Sequence, residues 1–343
     1  MPRYVPVVRW KRGERVGLAN VAAATKARCT PLIVIAPEQF VGKKATRASP
    51  VAVPAAMALA QNIVQDWGLN PFFLDASGVP DSPQGSHALV AIAAACRALG
   101  VHLIPVTHAA ATPQYRHAIA AVVQSDSRGA GLRVDLQAMA TARQWISNWT
   151  LPLSATDLLV DFRDNVATVA ALGASLDHAF QNLHGAGQWR TVTSIGTSIP
   201  DNFSGYLAGL HTIRRVEWHL WQHLSTIGLP YALDFGDYTT VAIAPPPPGI
   251  AWGYPINVKY TLNGDFLACR GVGTTGLGGV DMDQQLIAHA QSIRAYPTRN
   301  PINCWGDARV DAIAVQTEPP SGLENWVRIG LNRHIELTRT NLP

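Results

Sequence analysis

The sequence predicts an α/β fold, a (β/α)8 barrel of TIM type with a C-terminal hairpin and helix appendage on its last unit. Eight short apolar runs alternate with helical segments at a repeat of about 25 to 35 residues. The runs are apolar on both parities, as strands covered on two faces are. Most of them stop at a polar residue, as at Asp75, His108 and Asp161. A doubly wound open sheet is the alternative, but it usually carries a glycine fingerprint after its first strand. Here Arg12-Gly13-Glu14 offers a lone glycine.

Composition agrees. The 343 residues are 48% hydrophobic and 15% charged, enough for a large core and unlike a disordered chain or a coiled coil. The net charge of +4 permits an anionic partner without demanding one. Cys29, Cys96, Cys269 and Cys304 form no CxxC pair, which argues against a zinc ribbon or redox dithiol, and Cys96 reads as a core thiol. The N-terminus lacks a signal-peptide apolar region, and there is no run of about 18 apolar residues. A cytoplasmic protein without membrane association is the expectation.

The first strand covers 5–10 and a helix follows over 14–26. The second strand, 30–35, ends at Ala36-Pro37-Glu38 and leads into a basic loop with Lys43, Lys44 and Arg47. The helix at 53–67 carries Met57, Leu59, Ile63 and Val64 on one stripe and ends at Gly68. Strand three, 71–75, precedes an alanine-rich helix that Ser86 caps and Gly100 ends. Strand four, 101–106, runs to Thr107-His108, and Thr112-Pro113 starts the next helix. Strand five is 131–136, with a helix over 141–149; strand six is 158–164, with a helix over 165–183. Strand seven is 191–196, and an aromatic helix over 203–227 leads to strand eight, 231–234, after which Gly236 reads as a turn. Residues 1–240 thus form the barrel.

Residues 241–343 read as a β-hairpin, glycine-rich loop and helical appendage packed on the barrel. Pro245 to Pro248 form a stiff spacer. Alternating runs at 256–262 and 266–269 flank Asn263-Gly264, a hairpin signal. The loop at 271–279 lacks Gly-Lys-Ser/Thr and so is no P-loop; it would serve as a crossing or offer backbone N–H groups to an anion. A helix over 282–294 follows, and 326–335 reads as helix running into strand.

Tyr4-Val5-Pro6-Val7-Val8-Arg9-Trp10-Lys11-Arg12-Gly13-Glu14, with Pro31-Leu32-Ile33-Val34-Ile35, resembles the opening of the phage T4-type Beta protein family. Asp234-Phe235-Gly236-Asp237-Tyr238 resembles its Gly-Asp-Tyr motif, and residues 326–335 resemble its C-terminal Trp…Gly-x-Asn-x-His segment. The likeness spans the chain at low density. The family usually shows an acid inside the second strand, where this chain has Val34; Glu38 is the nearest acid after it. The resemblance implies a phage or prophage association, or a place among phage-conflict genes, and no particular mechanism.

A barrel acts at the C-terminal ends of its strands. The expected rim holds Arg9, Lys11, Glu38, Asp75, His108, Asp135, Asp161, Arg163, Asp201, Asp234 and Asp237, with Tyr238 leading into the appendage. Asp75, Asp161, Asp234 and Asp237 are the candidate catalytic acids. Arg9, Lys11, Glu38, His108, Arg163 and Tyr238 are the candidate ligand contacts. Each has a plainer reading: an acid after a strand is often a helix cap, and Asp135 would pair with Arg133 or Arg163. A basic lip over acids suits a phosphate-bearing small molecule or nucleic acid, and hydrolase, phosphodiesterase-like or nuclease-like chemistry. The cofactor stays open, with a divalent metal on oxygen ligands as one option. Basic and aromatic residues at 211–223 would stack on bases or pack on the barrel. The alternative function is non-catalytic recognition of a protein partner in phage–host conflict.

Overall fold

Eight parallel strands close into a barrel in the computed structural model, which describes residues 2–46, 51–81, 85–141, 146, 149–243 and 255–343. The strands are β1 (Tyr4–Val8), β2 (Leu32–Val34), β3 (Phe72–Asp75), β4 (Leu103–His108), β5 (Ala130–Val134), β6 (Thr156–Asp161), β7 (Thr191–Gly196) and β9 (Leu233–Asp237). Closure is the pairing of Tyr4 with Phe235, Val5 with Gly236 and Pro6 with Asp237. Alternation sends Val5, Val7, Phe73, Val106, Leu159 and Ile195 inward, where they fill the barrel. Tyr4, Val8, Phe72, Leu74, Leu158, Val160 and Phe235 point outward into the core shared with the helices.

The helices that ring this part are α1 (Arg12–Ala19), α2 (Ala23–Lys26), α3 (Ala55–Asp66), α4 (Leu89–Ala98), α5 (Pro113–Asp126), α6 (Leu136–Ala140), α7 (Val166–Ala170), α8 (Ala174–Asn182) and α9 (Val216–Leu224). Local chemistry sets their ends. Thr112 Oγ1 accepts from Tyr115 N at 3.2 Å, with Pro113 in the first turn of α5. The helix expected over 165–183 is two pieces, because Gly173 takes φ +50° between α7 and α8. The expected helix over 141–149 lies largely outside the described residues, as do Arg47 and Pro245 to Pro248.

Two readings of strands need correction. The eighth barrel strand begins later and runs to Asp237, and Gly236 sits inside it rather than at a turn. A Cβ at Gly236 would lie 2.7 Å from Ile195 and 2.9 Å from the Val5 carbonyl, so glycine is required there for close strand packing. Also, the segment expected as one aromatic helix starts as strand β8 (Gly209–Arg214) before becoming α9.

Strand β8 joins β10 (Asn257–Thr261) and β11 (Asp265–Arg270) in an antiparallel sheet ordered β10-β11-β8. One face of the hairpin, with Val258, Tyr260, Leu267 and Cys269, packs into a second core. That core is completed by α10 (Met282–Arg294), α11 (Trp305–Ala314) and α12 (Gly322–Asn341). Helix α12 is continuous through the stretch expected to turn into strand. It lies against α1 and β1, so it takes the place of the barrel's last outer helix. A Cβ on Gly17 of α1 would come 2.9 Å from the Arg328 carbonyl of α12, and its absence permits this approach. No helix among the described residues is long and apolar enough to cross a membrane.

Candidate functional site: the barrel mouth

The mouth holds a cavity of about 580 Å³ over the ends of β1 to β6. Its floor is Arg133, on the inward parity of β5, beneath the rim of free side chains. Arg133 Nε donates to Asp161 at 2.6 Å, Nη1 to Asp75 at 3.1 Å and Nη2 to the Tyr238 hydroxyl at 2.5 Å. Tyr238 in turn donates to Asp161 at 2.6 Å. The remaining carboxylate oxygens are also used. Asp161 Oδ1 accepts from Arg163 N at 2.9 Å, and Asp75 Oδ1 accepts from Ser77 N and Oγ at 3.1 and 2.6 Å.

These contacts fix the electrostatics. Burial works against the Arg133 charge, but Asp161 foremost, then Tyr238 and Asp75, outweigh it and raise its pKa. Burial, then Asp161, pushes the Tyr238 phenol up, so it stays protonated and donates. Asp75 and Asp161 therefore meet across one guanidinium. A divalent cation at this floor would face Arg133 and find the acids already engaged, so these residues do not fit one. Among the described residues no group of three or more His, Cys, Asp or Glu side chains gathers as a metal site would.

The rim has a different character. Lys11, Glu38, His108 and Arg163 line the cavity, and none of these side chains forms a hydrogen bond or ion pair among the described residues. Arg163 is exposed and held at φ +53°, a strained backbone for a side-chain-bearing residue. Arg9 also lines the cavity, but it is tied to Glu14 at 3.1 Å and to the Ala242 carbonyl at 2.8 Å.

Among the expected catalytic acids, the structure brings Asp75 and Asp161 together and separates the other two. Asp234 is the second residue of β9 and points inward at the opposite, N-terminal end of the barrel. There it accepts from Arg3 N at 2.7 Å and Arg3 Nε at 3.2 Å, beside Asp157 and Thr191. Burial raises its pKa, and Arg3 opposes the shift. This differs from the place at the mouth that the sequence predicts, because Asp234 lies inside the strand and not at its end.

Asp237 points outward, into a sealed seam between barrel and appendage. It accepts from Tyr4 Oη at 2.8 Å, Arg215 Nη2 at 3.1 Å and His334 Nε2 at 2.7 Å. Burial alone would push its carboxyl up; His334 and Arg215, with Tyr4, override that and hold it below the usual range. Burial lowers the His334 pKa and Asp237 opposes that shift; Nε2–H donates to Asp237, and Nδ1 lies 2.9 Å from Thr261 Oγ1. Asp237 is therefore not at the mouth either.

Asp135 does not pair with Arg133. It is exposed and caps α6, accepting from Ala138 N at 2.8 Å. Asp201 lies in an exposed turn after β7, away from the cavity lining. Lys43 is exposed and reaches Gln61. Tyr238 sits beneath the cavity rather than on its wall. The tryptophans of α9 pack on the barrel, with Trp218 edge-on to Phe235 at 5.1 Å. Arg133, expected only as a partner of Asp135, is the site residue that motifs do not reveal. Its signal was a charge on the same parity as Gly131 within an otherwise apolar buried strand.

No curated protein and no solved structure matches this chain. The sequence model of the Beta protein family matches residues 4–338, from the first barrel strand to the last turns of α12. Nearly the whole chain is thereby covered, and it belongs to the Beta protein family.

Proposed function

We propose that the barrel mouth binds and acts on a phosphate-bearing ligand, a nucleotide or a nucleic-acid end, in the phage-associated setting the family resemblance implies. The observation that carries this reading is the pair of unpartnered cations, Lys11 and Arg163, on the wall of one cavity whose floor acids are already balanced by Arg133. A phosphate supplies the charge they lack, and a guanidinium can grip it through two parallel hydrogen bonds. The cavity volume falls within the range of about 300–1,000 Å³ typical of small-molecule sites. In this reading Asp75 and Asp161 orient Arg133, and His108 and Glu38 are the unpartnered groups on the wall that general acid–base chemistry would draw on.

The test is mass spectrometry of small molecules retained by the purified protein, run beside a Lys11→Ala, Arg163→Ala double variant. A phosphate-containing species retained by the parent and lost from the variant supports the reading. Equal retention, or a retained species without phosphate, contradicts it.

A second reading, non-catalytic recognition of a protein partner, draws on exposed apolar residues of the appendage. Leu207 and Leu210 flank the start of β8, and Val272 and Leu277 follow its neighbour β11; Leu207 is 83% exposed. Loss of a partner on Leu207→Ser, with the mouth variant unaffected, would favour it.

A further inference from the structure

Of the five lysines, all among the described residues, Lys259 alone both lies over an aromatic ring and lacks a hydrogen-bond or ion-pair partner. Alternation along β10 puts Val258 and Tyr260 into the appendage core and leaves Lys259 on the other face with Thr261, which contacts His334 at the barrel seam. Lys259 is half-buried, and its side chain has no hydrogen bond or ion pair among the described residues. Its ammonium lies instead over the Phe203 ring, 5.4 Å from the centroid. Lys26, by contrast, donates to the Ala19 and Asp66 carbonyls at 3.0 and 2.9 Å. The charge that acts on Lys259 is that of Arg9. Burial first, then the Arg9 charge, pushes the Lys259 amine down from 10.5 to about 8.

An aromatic face stabilises an ammonium less than a carboxylate does, and a neighbouring guanidinium opposes it. Such an environment favours the neutral, nucleophilic form of the amine. We propose that Lys259, unpartnered over Phe203 on the face of β10 that carries Thr261, is a reactive amine, which condenses reversibly with an aldehyde or ketone carbonyl. The nitrogen lone pair adds to the carbonyl carbon to give a carbinolamine. The two amine hydrogens and the carbonyl oxygen then leave as water, and a C=N bond remains. No oxidant or reductant is consumed. The inference goes beyond the phosphate reading, because the condensation needs no phosphate at the mouth.

The test uses the intact protein and two aldehyde probes, pyridoxal and pyridoxal phosphate, with cyanoborohydride to trap imines. Peptide mass spectrometry then reads each lysine separately. Exposed Lys43 and Lys44 serve as internal references. At neutral pH Lys259 is expected to be trapped at least about tenfold faster than either, from its larger neutral fraction. Its rate should rise with a midpoint near 8. Trapping no faster than Lys43 and Lys44, or a midpoint near 10.5, overturns the proposal. Faster trapping by the phosphorylated probe supports both readings. Equal fast trapping by both probes supports Lys259 independently of the phosphate reading.

Discussion

Arg133 at the mouth and Arg215 at the seam are both arginines set among carboxylates, yet their surroundings differ. Arg215 is fully buried, between Asp237 at 3.1 Å and Glu217 at 3.5 Å, with Thr338 and His334 closing the cluster. Arg133 holds Asp75, Asp161 and Tyr238, but its upper side faces a cavity walled by free charges. The seam network ties β9 and α9 to α12, so its polar groups are spent on holding barrel and appendage together. The mouth network leaves Lys11, His108, Glu38 and Arg163 unspent above it. What separates a structural arginine cluster from a candidate site here is what stands next to it, because the chemical parts are the same.

The largest expected effect falls on the seam. Asp237→Ala leaves Arg215 buried with Glu217, at 3.5 Å, as its remaining carboxylate, and should cost about 3–5 kcal/mol in chemical denaturation. Arg133→Met should cost less, about 1–3 kcal/mol, since Asp75 and Asp161 keep their local donors and have access to water through the cavity. A comparable loss in both variants would remove the distinction between the clusters.

Glu217 sharpens it by pH. Its burial outweighs Arg215 and Ser198 and pushes its carboxyl up from 4.5 to about 7. The folded protein then binds more protons than the unfolded chain between those values, so this group's contribution to stability falls as pH rises from 4.5 to 7. Glu217→Gln should abolish that slope. The difference between parent and variant should change by roughly 3 kcal/mol at most across the window. Parallel pH–stability curves for the two proteins would contradict the shift. The smallest stability effect is expected at the rim: Lys11→Ala and Arg163→Ala should each change unfolding free energy by no more than about 0.5 kcal/mol.

The barrel was legible because fully covered parallel strands leave continuous apolar runs, as in 71–75 and 191–196, and helix caps such as Thr112-Pro113 are local. Strand β8 was not, because its pairing partner β11 comes some fifty residues later, and Leu210, Ile213 and the following tryptophans also read as one helix face. Asp75 and Asp161 were found at the mouth because they end their strands. Asp234 was misplaced because its partner Arg3 lies at the far end of the sequence, and only that pairing lets an acid sit inside a strand. Asp237 was misplaced by one parity: the register carrying Gly236 inward turns its neighbour outward to His334, nearly a hundred residues on.

We infer that the mouth, and not the seam, offers spare positive charge to a ligand. Calorimetric titration of inorganic pyrophosphate into the parent protein, the Lys11→Ala, Arg163→Ala double variant and a Lys43→Ala control tests it most directly. Salt-sensitive binding to the parent and control, weakened at least about tenfold in the double variant, is expected. Equal affinity across all three proteins, or no binding to the parent, would contradict it.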